Sequence, residues 1–206
     1  MIEKMIKMAM AWYSREPDVL RHVLSVLETG RQMVLAVHGR ELTPVEALAL
    51  LAHDADKRVM KDFVKADHGD AGAKLVPEFI GGLEDQSFTS EEVEAVKTAI
   101  FEHEKAKGNP SSDLSDLVQS ADASSPDIRA QAIKCWGKNR ESLTSDTECA
   151  EYVVGYLRNR YGHGGTARHP AYFKAFYDVE KYMSDIDAIT VATVLGFVQD
   201  QKKKEL

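Results

Sequence analysis

The sequence offers little that could be cross-linked. It has only two cysteines, Cys135 and Cys149, well apart and in no Cys-x-x-Cys pair, so neither a disulfide framework nor a zinc knuckle is indicated and both read as reduced thiols. No stretch of about 18 apolar residues occurs, which excludes a helical membrane span. Glu3, Lys4 and Lys7 interrupt the apolar residues of Met1 to Ser14, so the N-terminus lacks the core of a signal peptide and the expectation is a cytoplasmic protein. The closing Lys202-Lys203-Lys204-Glu205-Leu206 then reads as a solvated helix end rather than a retention signal. Excess positive charge is missing as well. Against 33 acidic residues stand 26 basic ones, a net charge of -7, which argues against a broad nucleic-acid surface and leaves a small substrate open. Internal repeats, low-complexity tracts and long charge runs are absent, which removes solenoids and disordered tails. So are Gly-x-Ser-x-Gly, a Walker loop and His-Glu-x-x-His.

What the chain does contain is helix after helix. Ile2, Met5, Ile6, Ala9, Trp12 and Tyr13 keep helical spacing, giving an amphipathic first helix whose Met-rich face reads as a core or dimer contact rather than a membrane-binding one. Pro17 suits the first turn of a long helix that carries His22 and stops at Gly39, with His38 a solvated residue at its end. Thr43 and Glu46 form a capping box with Pro44 in the first turn, and Thr89 with Glu92 forms another. Asp67 is read as the cap of a helix through Ala71, Ala73, Leu75 and Phe79, which Pro77 should bend or shorten and Gly81-Gly82 should close. Leu114, Leu117, Val118 and Ala121 carry a further helix to Asp122, after a loop around Gly108-Asn109-Pro110. Beyond residue 125, helices are expected from Asp127 through Ile133, from Asp146 through Leu157, and from Pro170 through Phe173, Phe176 and Tyr182. The β-branched run from Ile186 to Val198 reads as a last packed helix, with a short strand as the alternative. The expected fold class is therefore all-α. At 206 residues the reading is a single domain, 1–206, with a core over 14–124 and a helical extension over 125–206 packed on it.

The chemistry concentrates at Leu50-Leu51-Ala52-His53-Asp54-Ala55-Asp56-Lys57, where an apolar helix ends in an imidazole, two carboxylates and an ammonium. Adjacent helical residues point about 100° apart, so His53 and Asp54 can share one ion only beside the helix, with other ligands from elsewhere. His22 precedes this pair; His68, His103 in Ala99-Ile100-Phe101-Glu102-His103, and Asp122 follow it. This order, together with Arg21-His22 opening a long helix and Lys57 three residues after the Asp, resembles the HD superfamily of metal-dependent phosphohydrolases over about residues 18 to 124.

The resemblance implies an HD-domain helical bundle in which His22, His53, Asp54 and Asp122 hold one metal. His68 and His103 mark the subset with a second metal, bridged by Asp54. The implied cofactors are two divalent ions, drawn from Mn, Fe, Co, Zn or Mg. The implied activity is hydrolysis of a small phosphate ester or nucleotide by a metal-activated water, with Asp54 and Lys57 as catalytic residues and Lys57 as the cation for the phosphate. Asp56 departs from the family's common Gly, and Glu102 from the first of two consecutive His. Relatives with the same six ligands include di-iron oxygenases, which imidazole and carboxylate ligands suit equally. An oxygenase and a noncatalytic HD-fold sensor or scaffold therefore stay as alternatives. The Gly-rich stretch Tyr161 to Pro170 reads as an interhelical loop or, alternatively, as a lid from which Arg158, Arg160 or Arg168 would meet a substrate phosphate. Neither a nucleic acid nor a membrane is expected as a partner, and a homodimer is left open.

Overall fold

The computed structural model describes residues 1–58, 68–83, 88–103, 109–123, 127–167 and 169–204. Among them there are eleven α-helices and no strand, so the all-α class holds. The chain forms two compact units, Met1–Ser124 with Arg168–Phe176, and Ser125–Ala167 with Tyr177–Leu206. The segment 168–176 thus groups with the first unit rather than with the residues on either side of it.

The first unit contains α1 (Ile2–Trp12), α2 (Pro17–His38), α3 (Pro44–Ala52), a 3-10 turn (Ala55–Arg58), α4 (His68–Gly81), α5 (Ser90–Glu102) and α6 (Asp113–Asp122). A short helix, Ala171–Phe176, also belongs to it. Short α3 is the hub. It packs against α1, α2, α4, α5 and α6, and every residue from Ala47 to Ala52 is buried. That explains why its sequence is apolar all round instead of on one face. Both capping boxes form as the spacing predicts: Thr43 accepts from the Glu46 backbone N–H and Thr89 from that of Glu92. The Met-rich face of α1 is a core contact within this unit, with Met5, Ala9 and Trp12 buried and α1 packed on α3.

One expectation is corrected here, the shortening of α4 at Pro77. Helix α4 runs unbroken through Pro77 to Gly81, because the neighbouring Val76 and Phe79 are fully buried and hold the turn despite the missing N–H. Asp67, the expected cap, lies outside the described residues. Helix α4 also lies very close to α5: a Cβ on Gly69 would come within 2.6 Å of the Phe101 carbonyl oxygen and 3.2 Å of that of Ile100. A backbone carbonyl cannot swing aside, so Gly69→Ala must push the two helices apart. The expected cost is about 1–3 kcal/mol in a denaturant titration, as for overpacked cores; an unchanged midpoint would show that the helices are not held so tightly.

The second unit has its own core, built from Ala132, Trp136, Cys149, Val153, Leu157, Ile186 and Val194 among others. The helices that supply it are α7 (Ile128–Asn139), α8 (Asp146–Tyr161), α10 (Val179–Ala188) and α11 (Val191–Lys204), the short helix Ala171–Phe176 being α9. The single helix expected from Pro170 to Tyr182 is in fact α9 and α10, because Asp178 leaves the helix and caps a new one by accepting from the Lys181 backbone N–H. The β-branched run is helical rather than strand, but it is not the one helix expected: Ile186 belongs to α10, Ile189 ends it, and Thr190 accepts from the Thr193 N–H at the start of α11, which carries Val191 to Val198. Both cysteines are free and buried, and burial pushes their thiols up, which keeps them unreactive. No described helix is long and apolar enough to cross a membrane.

Candidate metal centre

The six ligand residues read from the sequence converge in the first unit. His53 is the C-terminal cap of α3 and Asp54 follows it; His22 comes from α2, His68 from the first residue of α4, His103 from the end of α5 and Asp122 from the end of α6. Two overlapping groups have ligand atoms within 4.8 Å of one another: His22, His53 and Asp54, and then Asp54, His68 and His103. Asp122 joins the first group, its Oδ1 lying 3.1 Å from Nε2 of His22 and 3.7 Å from Nε2 of His53.

Asp54 stands between the groups. Its Oδ2 lies 3.6 Å from His22 Nε2 and 3.5 Å from His53 Nε2, while its Oδ1 lies 2.9 Å from His68 Nε2. Lys57 also pairs with Oδ2, since the 3-10 turn returns its ammonium to the carboxylate three residues back. The carboxylate is buried, which by itself would push its pKa up. The nearby imidazole of His53, the hydrogen bond from His68 and the ammonium of Lys57 outweigh that and hold it well below the usual carboxylate range. Burial likewise opposes ionisation of Asp122, but the hydrogen bond from His22 and the nearby His53 and His103 pull it down.

The donor set fits a cation. His53 donates its Nδ1–H to the Leu50 carbonyl at 2.8 Å and His103 donates its own to the Ile100 carbonyl, so in each ring Nε2 is the nitrogen left to face the cluster. Nδ1 of His68 is engaged by Asp56 at 2.5 Å, leaving Nε2 toward Asp54. This outward use of Nδ1 is how proteins orient imidazole ligands to metals. Burial pushes the His53 pKa down, which keeps its ring neutral. Nε2 of His53 then faces Nε2 of His22 at 3.3 Å as well as two carboxylates, more lone pairs than one proton can bridge. The buried His and Asp groups could therefore hold a metal ion.

His68 carries a measurable signature of this. Burial alone would lower its pKa, but hydrogen bonds to Asp54 and Asp56 outweigh it and push the value up to about 9. A histidine raised in the folded state stabilises it fully below the unfolded value of about 6.5 and loses that contribution as pH rises through the folded value. An ion at Nε2 must displace that proton. Metal uptake at His68 is therefore expected to release about one proton at pH 7, and its apparent affinity to rise about tenfold per pH unit until pH 9. Calorimetry in buffers of different ionisation enthalpy reads the release directly, and uptake without protons would show that His68 is not a ligand.

Arg158 belongs to the second unit, where its guanidinium donates to the Ile189 carbonyl at 2.7 Å, and Arg168 lies outside the described residues. Arg160 donates to the hydroxyl of Tyr161. The backbone of 165–167 folds back on the end of α8, with Thr166 N–H on the Asn159 carbonyl and Ala167 N–H on that of Arg160. His38 bonds the Tyr172 hydroxyl, and His163 lies between Asp187 and Glu180. The carboxylate of Glu102 accepts from the backbone and side chain of Ser111, just before α6.

Some supporting contacts escaped the sequence reading. Trp12 donates Nε1–H to the Ala55 carbonyl at 3.2 Å and Tyr13 donates its hydroxyl to the Leu51 carbonyl at 3.0 Å, so α1 clamps the backbone on both sides of His53-Asp54. The guanidinium of Arg58 lies over the Trp12 ring at 4.2 Å. Asp56 reads in the sequence as a departure from a family pattern that bears on substrate choice or second-metal affinity, without its contact to His68. The one available signal was that buried Trp and Tyr tips need partners. In comparisons with family models, curated proteins and solved structures, the chain matches none.

Proposed function

We propose that this cluster is an HD-type site for two divalent ions and that the chain is a metal-dependent phosphohydrolase acting on a small phosphate ester or nucleotide. The observation that carries the reading is Asp54, whose two carboxylate oxygens are directed at two different imidazole groups. His22, His53, Asp54 and Asp122 would hold one ion, and Asp54, His68 and His103 the other. Ions in such a site lower the pKa of water and neutralise charge on a phosphoryl oxygen.

The chain's own groups suit a phosphate. Lys57 is partly exposed at the rim of the cluster, where its ammonium can turn from Asp54 to an incoming anion. Asp54, Asp56 and Asp122 bring three negative charges and Lys57 one positive charge. Two divalent ions would leave the site with two positive charges, matching a phosphomonoester dianion. Opposite charge at a partly buried site favours binding of the ester over neutral compounds.

The test is reconstitution of metal-free protein with manganese, iron, cobalt, zinc or magnesium, followed by a panel of phosphomonoesters, phosphodiesters and nucleotides. Hydrolysis that appears only with metal and disappears on chelation is the expected result. Dioxygen consumption by the iron-loaded protein, with no ester hydrolysed under any metal, would replace this reading with the oxygenase one.

A further inference from the structure

His53 and His103 solve the same orientation problem in the same way. Each sits at the C-terminal end of its helix and hands its Nδ1–H to the carbonyl three residues back, Leu50 and Ile100 respectively. Nδ1 of His68 is engaged differently. The carbonyl is replaced by a carboxylate. Asp56, in the 3-10 turn after the His-Asp pair, reaches Nδ1 of His68 at 2.5 Å through Oδ2.

The setting of Asp56 is unusual for a structural carboxylate. The residue is 2% exposed, and its other oxygen, Oδ1, is buried with no hydrogen-bond partner among the described residues. Such a half-satisfied group costs folding free energy instead of adding to it. Around it the packing is tight: a Cβ on Gly72 would lie 3.7 Å from Asp56 Oδ1, 3.3 Å from the His53 carbonyl oxygen and 3.1 Å from Cγ2 of Ile100. A neutral acceptor would orient the ring, whereas a carboxylate also raises its basicity toward a cation.

We propose that Asp56 is the positioning residue of the second metal position: it holds His68 with Nε2 toward Asp54 and raises the basicity of its ring, so that this ion binds tightly only with Asp56 in place. The inference rests on the two-ion reading above. It assigns no contact between Asp56 and an ion, and its effect runs entirely through His68.

The test is a manganese titration of the full-length metal-free protein, read as number and affinity of binding classes, beside metal-free melting temperatures. Wild type should show two classes. Asp56→Ala should weaken the second class by about 10–100-fold, the usual effect of losing a residue that orients a ligand, and leave the first within twofold. Asp56→Asn keeps a carbonyl oxygen for Nδ1–H without the charge and should fall between the two, which guards against an alanine variant that folds poorly. His68→Ala should abolish the second class, and adding Asp56→Ala to it should change the first class no further, since residues acting through one another are not additive. Second-class affinity equal to wild type in Asp56→Ala, or equal losses from both classes in both Asp56 variants, would overturn the positioning role while leaving the two-ion site standing. A single class in wild type under excess manganese would overturn the two-ion reading and this inference with it.

Discussion

Asp54→Ala is expected to abolish metal-dependent hydrolysis of phosphate esters and to strip the protein of bound metal, while the chain still melts cooperatively. Asp54 is the one side chain shared by both ligand groups, so its removal takes a donor from each. Metal stabilisation of charge in a phosphoryl transition state is worth several kcal/mol, and each 1.36 kcal/mol is tenfold in rate, so the loss should be about a thousandfold or more. The fold should survive because the helices around the site are held by Leu48, Leu51, Phe79 and Ile100, all fully buried and independent of the carboxylate. Some stability will go. Asp54 is depressed in the folded state, so it stabilises the protein above the unfolded carboxylate pKa of about 3.9 and ceases to do so as pH falls through the folded value. The variant should therefore melt lower than metal-free wild type at pH 7, with the gap closing in acid. Turnover within a few fold of wild type would show that the chemistry lies elsewhere.

Lys57→Met is expected to produce the complementary result: bound metal unchanged, turnover down about a hundredfold or more. Lys57 is no part of either ligand group and pairs with Asp54 from the rim. Removing one well-placed charge donor to a developing oxyanion typically costs 10²–10³ in turnover. Arginine at this position would restore charge but with a planar fork in place of a compact ammonium, so only partial recovery is expected from Lys57→Arg. Elemental analysis beside steady-state rates separates the two roles. Full activity in Lys57→Met would reduce the residue to a surface ion pair of little consequence.

How much of this was legible in the sequence follows from the range of each interaction. The starts of α3 and α5 were readable because a capping box closes within four residues, as Thr43 with Glu46 and Thr89 with Glu92 do. The central place of α3 was implicit in its apolar residues, though not which helices would cover it. Pro77 misled because propensity weighs a missing hydrogen bond, whereas burial of Val76 and Phe79 decides the matter in the folded chain. The break between α9 and α10 was hidden because Asp178 caps through a side-chain bond that no neighbouring Gly or Pro advertises.

The candidate site divides in the same way. The order His22, His53-Asp54, His68, His103, Asp122 was visible as a pattern, and the structure brings all six together. Its supporting contacts were not visible, because each joins residues far apart in the chain. Asp56 meets His68 across a segment of 12 residues, and Trp12 meets Ala55 across 43. From the sequence, Trp12 and Tyr13 register only as members of an apolar stripe. Their N–H and O–H groups become functional only when α1 lies against the turn that carries Asp54.

The most direct test of the central claim is elemental analysis of the full-length protein after equilibration with excess manganese and removal of unbound ions, run beside Asp54→Ala. The account predicts close to two manganese ions per chain in wild type and a near-complete loss in the variant. Wild-type protein that retains no metal, or an Asp54→Ala protein that retains as much as wild type, would contradict it.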